Sequence, residues 1–226
     1  MRSVLILAAH PDDEVLGCGG TIAKLAKQGA VIHVAFLADG VSSRSGNCTA
    51  SSAELISRRM AAQKACDILG VKSVSFDDFP DNRMDTIALL DIIKSVETLV
   101  TKFQADMVIT HHAGDVNIDH RRIHEAVSAA CRPQPGYPVR TVLCFEVPSS
   151  TEWQLSGSLP AFVPNWFVDI SKSLECKLAA LDAYASELRP WPHPRSRQGI
   201  EHLARWRGAT VGVNAAEAFI LGRQLE

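Results

Sequence analysis

Val4-Leu5-Ile6-Leu7-Ala8-Ala9-His10-Pro11-Asp12-Asp13-Glu14 is the stretch on which the reading of this chain turns. Its first half is a short, unbroken apolar run, which reads as a buried strand over Val4–Ala9. Its second half cannot continue that strand, because Pro11 lacks an N–H and fixes φ. The turn leaves His10 and three carboxylates at the carboxyl end of a core strand, where open α/β sheets bind ligands. An imidazole beside a carboxylate suits Zn²⁺, and a spare carboxylate next to a metal serves as general base. The plainer reading is an acidic turn capping the helix that follows.

Working outward, Gly17-Cys18-Gly19-Gly20 reads as a turn and Thr21–Lys27 as helical. Val31–Leu37 is a second strand, Ala53–Leu69 a helix stopped by Gly70, and Val74–Phe76 a short strand before a loop over Asp77–Arg83. Thr86–Phe103 carries apolar residues at helical spacing. Met107–Thr110 and Thr141–Phe145 are further strands flanking a helix over Arg121–Cys131. Strand and helix alternate, which predicts an α/β fold: a Rossmann-like three-layer αβα sandwich with a mostly parallel sheet. The single domain divides into a core (1–145) and a C-terminal extension (146–226) that closes one side of the site. In the extension, Trp166–Ile170 reads as an edge strand and Ser171 as the N-cap of a helix through Ala185. Arg189–Pro194 is a fixed loop, Ser196–Arg207 a helix, and Ala215–Leu221 a final short helix.

With 226 residues, 46% of them hydrophobic, the chain suffices for one well-cored domain. A net charge of −2 shows no basic excess calling for nucleic acid. The six cysteines (Cys18, Cys48, Cys66, Cys131, Cys144, Cys176) are scattered without a CxxC pair, so a reducing, cytoplasmic setting is expected. The first strand begins within three residues of Met1, with no signal peptide before it. No apolar run reaches the ~20 residues that span a bilayer.

A second polar cluster follows another strand: His111-His112-Ala113-Gly114-Asp115-Val116-Asn117-Ile118-Asp119-His120. The first cluster offers His10, Asp12 and Asp13; the second offers Asp119, His120 and His124. Neither has the H-E-x-x-H spacing of helical zinc proteases. Together they supply two imidazoles and a carboxylate with a position left for water, the ligand set of a hydrolytic zinc site.

These residues resemble the LmbE/PIG-L-like N-deacetylases, which remove acetyl groups from N-acetylated amino sugars and related amides. The match lies in Ala9-His10-Pro11-Asp12-Asp13-Glu14, Gly17-x-Gly19-Gly20, Asp39-Gly40, Arg58 before Leu69-Gly70, the Asp81 loop and Asn117-x-Asp119-His120. It covers residues 1 to about 130; beyond, Gly208 and Ala216-Glu217-Ala218-Phe219 are similar to the family's C-terminal end. The resemblance implies His10, Asp13 and His120 as ligands of Zn²⁺ and Asp12 as general base. It implies a positioning role for Asp119, sugar contacts for Arg58 and Asp81, and close approach of sugar to Gly19-Gly20. The partner it implies is a small N-acetylated sugar or conjugate, phosphate- or nucleotide-linked forms included. Self-association is common in the family.

One departure stands out. Some members carry a His where this chain has Asn117, and a Tyr where it has Asp115. Asn can donate to an oxyanion but cannot supply a proton. The proton donor is then Asp12 itself or one of His111, His112, His124 and His193, of which His193 is favoured because the Pro-rich loop holds it rigidly. Arg44, Arg83 and Arg195 suit an anionic substrate, or are simply solvated; Trp153, Trp166, Trp191 and Trp206 suit sugar stacking, or packing. Two other functions fit the scaffold. A non-catalytic sugar- or nucleotide-binding module would not need the carboxylate of Asp12. An NAD-dependent oxidoreductase would need a third glycine where Ile22 stands.

Overall fold

The computed structural model describes residues 2–43 and 52–226. Arg44 and Cys48 lie outside the described residues. Seven strands form one mixed sheet: β1 (Ser3–Ala8), β2 (Val31–Ala38), β3 (Ser73–Phe79), β4 (Met107–His111), β5 (Thr141–Phe145), β6 (Trp166–Asp169) and β7 (Ala216–Gln224). Their order is β3-β2-β1-β4-β5-β7-β6. The first five strands are parallel, and β7 runs antiparallel to both β5 and β6. From β1 the chain winds outward to β2 and β3, then returns to place β4 on β1's other side. That reversal opens a crevice at the carboxyl ends of β1 and β4. The two polar clusters follow these two strands.

The helices are α1 (Asp13–Lys27), α2 (Ser52–Leu69), α3 (Leu89–Phe103), α4 (Ile118–Ala130), α5 (Leu174–Asp182) and α6 (Arg197–Ala209). Alternate residues of a strand face opposite sides, and β1 shows why both its faces are apolar. Val4, Ile6 and Ala8 pack with residues of α1, α2, α5 and α6, whereas Leu5, Leu7 and Ala9 pack with residues of α3 and α4. Burying each such leucine or isoleucine contributes about 1.5–3 kcal/mol.

Two expectations are corrected here. The glycines after the acidic turn do not form a turn of their own. α1 starts at Asp13 and runs through them, with one non-helical residue, Cys18 (φ −147°, ψ 19°). Glycine is needed because this helix lies close to its neighbours. A Cβ on Gly17 would sit 2.6 Å from Phe145 Cγ, and one on Gly20 2.8 Å from Ile170 Cδ1. Gly17→Ala is therefore expected to destabilise the fold by about 1–3 kcal/mol of overpacking, despite alanine's better helix propensity. Chemical denaturation checks this; an unchanged midpoint would mean that Phe145 moves freely.

The second correction concerns the C-terminus. Ala216-Glu217-Ala218-Phe219-Ile220-Leu221 is rich in helix formers, yet it lies in β7, between β5 and β6. Pairing on both sides overrides local propensity. Ser171 is not an N-cap: its Oγ bonds Asp169 Oδ1 at 2.5 Å, and the helix begins later, at Leu174.

The halves of α1 on either side of Cys18 are joined by a buried ion pair. Glu217 accepts from Gly20 N (2.9 Å) and Thr21 N (2.7 Å), donors that the kink frees. Lys177 Nζ donates to Glu217 Oε1 (2.5 Å) and to Leu16 O (2.9 Å).

Candidate active site

The β1–α1 junction is built around Asp13. Its carboxylate accepts from His10 N at 2.8 Å, which closes the turn at Pro11 and sets the His10 ring beside it. Asp12 sits at the helix start with φ 119°, a backbone region that residues other than glycine rarely occupy. Its N–H is held by Glu14 Oε2 at 3.0 Å. Glu14 in turn accepts from Tyr184 Oη at 2.6 Å, so it supports the turn rather than facing the cleft. Strain of this kind at a polar turn points to function.

The β4–α4 junction supplies the rest. Asn117 is the N-cap of α4, accepting from Asp119 N at 2.8 Å. This starts the helix three residues earlier than its sequence pattern suggests and puts Asp119 and His120 in its first turn. Asp119, fully buried, accepts from Asn82 N (2.7 Å) and Met84 N (3.0 Å) and lies 3.0 Å from His10 Nε2. Asp115, also fully buried, lies 3.2 Å from His120 Nδ1 and accepts from the Ser150 and Thr151 hydroxyls.

Each imidazole thus turns one nitrogen to a supporting carboxylate and the other to Asp13. His10 Nδ1 and His120 Nε2 both lie 3.3 Å from Asp13 Oδ2. Ligands bonded at about 2.0–2.1 Å around tetrahedral zinc are separated by roughly this edge length. His120 Nε2 is buried and has no hydrogen bond. A carboxylate behind each ligating imidazole is the usual support of such sites. His10, Asp81 and Asp119 form a second group of suitable atoms, but Asp119 is already committed to two backbone donors. The donor set His10, Asp13, His120 therefore fits a zinc-like cation better.

Electrostatics agree. Against the penalty of burial, Asp119, Asp13 and Asp81 hold His10 well above its ordinary value. Burial would lower His120 too, but Asp13 and Asp115 push it up to about 9. Asp13 is held well below the carboxylate range: burial opposes this, and the histidines, His120 first, outweigh it. Both imidazoles are held in the charged form by their carboxylate neighbours, a positive charge that a bound cation would replace. Burial pushes Asp12 up to about 6, while Arg195 and Arg58 pull it down.

The cleft has a volume of about 370 Å³, and Asp12, Arg58, Asp81, Asn117, Trp153 and Arg195 are among the residues that line it. Arg58 donates to Pro11 O (3.0 Å), lies 3.8 Å from Asp12 and pairs with Glu187. Asp81 lies 3.0 Å from His10 Nε2 and accepts from the Ser43 hydroxyl. Asn117 directs its amide nitrogen to Asn82 Oδ1 (3.1 Å), leaving its second N–H for the cleft.

Other expected residues lie elsewhere. Gly19 and Gly20 are inside α1, packed on Val15, Lys177 and Ile170, and do not line the cleft. Their small size serves helix packing, which corrects the expectation of a sugar-contacting turn. His193 does not line the cleft either; its Nδ1 accepts from Arg195 N (3.0 Å) and its ring meets Trp153 edge-on. His111 Nε2 accepts from Ala9 N (2.8 Å), and the ring stacks on His120 at 3.9 Å. His112 is bound to Pro160 O (2.9 Å) and His124 to His111 O (3.0 Å). Trp166, Trp191 and Trp206 are away from the cleft lining, as is Arg83. Sequence reasoning missed the support given by Asp115, whose one signal was its place in the second cluster. It also missed Glu187 and Ser149, which carry no signal.

Fold and site together define an α/β protein with a candidate His–Asp–His metal centre at its switch point. The chain belongs to the PIG-L family, described as GlcNAc-PI de-N-acetylase, whose pattern matches residues 5–131. It is 30% identical to the uncharacterized deacetylase YaiS of Escherichia coli over 191 residues, 82% of this chain and 91% of the relative. It is 31% identical to diacetylchitobiose deacetylase of Thermococcus kodakarensis over 201 residues, 83% of this chain and 70% of the relative. Among solved structures, 4-carboxy-2-hydroxymuconate hydratase of Pseudomonas putida superposes with a TM-score of 0.78 at 25% identity, covering 100% of this chain and 98% of that one. No helix among the described residues is long and apolar enough to cross a membrane.

Proposed function

We propose that the protein is a zinc-dependent N-deacetylase that removes the acetyl group from an N-acetylated sugar or sugar conjugate. The observation that carries this is the 3.3 Å spacing of His10 Nδ1 and His120 Nε2 from Asp13 Oδ2, with Asp12 left out of that group and facing the same cleft. Zinc bound there supplies Lewis acidity, lowering the pKa of a water and polarising a carbonyl. Asp12 takes the proton from the attacking water and returns it to the departing amine. The products are acetate and the free amino sugar. Asn117 offers its spare N–H to the developing oxyanion. Arg58 and Asp81 hold sugar hydroxyls from the cleft wall, with Trp153 exposed at its rim. His193 supports this wall by fixing the Arg195 backbone, and Asp119 positions His10. The five described cysteines are free thiols, which supports a cytoplasmic setting.

Metal analysis with a free-amine assay on N-acetylated sugars, with and without chelator, tests this reading. Near-stoichiometric zinc and chelator-sensitive amine release are expected. His120→Ala is expected to lose its zinc; full occupancy in that variant would mean that the third ligand lies elsewhere. The hydratase among the structural relatives favours a second reading, in which the same base and cation site add water across a C=C bond of a carboxylate substrate. Loss of ultraviolet absorbance from a conjugated enoate, without amine release, would select it.

A further inference from the structure

Of the arginines that suit an anionic substrate, Arg195 lines the cleft and Arg83 does not. Its backbone is fixed on both sides: Arg195 N donates to His193 Nδ1 (3.0 Å), and Arg195 O accepts from Arg189 N (3.3 Å). Its Nε donates to Ser149 Oγ (3.0 Å). Ser149 itself has φ 67°, a strained conformation held by Glu152, whose carboxylate accepts from Ser149 N (2.6 Å) and Ser150 N (3.2 Å). The guanidinium is thereby aimed before any ligand arrives. Its one ion-pair partner among the described residues is Asp12, whose Oδ2 lies 3.4 Å from Nη1. Nη1 donates to Asp12 over a longer distance than the about 2.7–2.9 Å of a close charge-assisted pair, so this contact is a weak one. Nη2 has no hydrogen bond among the described residues, and the side chain keeps 23% of its exposure. Arg58, by contrast, already donates to Pro11 O and pairs with Glu187.

We infer that Arg195 and Ser149 form an anion subsite, and that the substrate carries a phosphate or carboxylate on a ring carbon next to the one bearing the acetamido nitrogen. The inference rests on the deacetylase reading, which places that nitrogen at Asp12. Asp12 and Arg195 are 3.4 Å apart, so the substrate atoms they contact are close together, as substituents of neighbouring ring carbons are. A planar fork of N–H donors with an open edge suits a carboxylate or phosphate better than a lone hydroxyl.

The test is calorimetric titration of the zinc-loaded protein with three amino sugars that resemble the product. They are glucosamine, glucosamine 1-phosphate and muramic acid, whose carboxylate hangs from the neighbouring carbon on the other side. At least one anionic probe is expected to bind tenfold or more tightly than glucosamine. The better probe identifies the anion as phosphate or carboxylate. Arg195→Met is expected to abolish the margin and Arg195→Lys to keep part of it, each with wild-type zinc content. Ser149→Ala, which frees Nε, is expected to reduce the margin and serves if Arg195→Met fails to fold. Equal binding of all three probes, no binding of any, or a margin that survives Arg195→Met overturns the inference. Turnover of the N-acetylated probes separates the two readings. An Arg195-dependent margin without acetate release keeps the subsite and removes the deacetylase. Acetate released equally well from N-acetylglucosamine and its 1-phosphate does the reverse.

Discussion

Asp12→Asn is expected to lower turnover about 1,000-fold while leaving the zinc content unchanged. The substitution isolates the proton-transfer role because little else changes. Asparagine is nearly isosteric and is among the few residues that tolerate positive φ, so the backbone at 119° survives. The residues that could hold a cation are His10, Asp13 and His120, and this side chain is not among them. Arg58 keeps its bonds to Pro11 O and Glu187, and Arg195 keeps Ser149. What is lost is the acceptor for a proton. Steady-state rates with metal analysis on the same sample decide the matter. Turnover at the wild-type rate would remove Asp12 from the base role; a loss of zinc would reassign it to the metal.

Lys177→Met is expected to cost about 3–5 kcal/mol of stability, a drop of roughly 10 °C in Tm for a chain of this size. Lys177 and Glu217 are 3% and 4% exposed, so water cannot take over for either. Removing the ammonium leaves a buried carboxylate facing two backbone N–H groups and strands Leu16 O. Lys177→Met combined with Glu217→Gln is expected to recover a large part of the loss, because the neutral amide still accepts from one of those donors. Thermal unfolding of both variants checks this. A single variant within about two degrees of wild type would show that water reaches the pair.

The parts of this fold that were legible in the sequence are those with a local cause. Val4–Leu7 is apolar on both faces because helices cover both, and Pro11 ends it by chemistry that no context alters. The two clusters stood out because dense polar residues directly after a buried strand have few other uses. The rest depended on distant partners. The glycines of α1 read as a turn because their reason, the Phe145 ring and Ile170, lies more than 120 residues away. Ala216–Leu221 read as a helix because its two neighbouring strands are invisible to propensity. Of the site, His10, Asp12, Asp13 and His120 come together as the motifs suggested. The sequence-based choice of His193 as proton donor weighed the stiffness of its loop, but stiffness says nothing about direction. Here that loop aims Arg195 inward instead.

The ion pair at α1 also orders the life of the chain in time. Glu217 bonds to Gly20 and Thr21 across 197 and 196 positions of sequence. The helix that begins at Asp13 is thus fastened by a segment synthesised long after it. Until then β5 has no partner on its outer edge, where β7 will pair. Contacts of such separation form late, after loop closure has been met. The parallel strands can assemble during synthesis, but a nascent chain carries an unfinished cleft. Pairing of β7 between β5 and β6 is therefore the step that completes the support of α1.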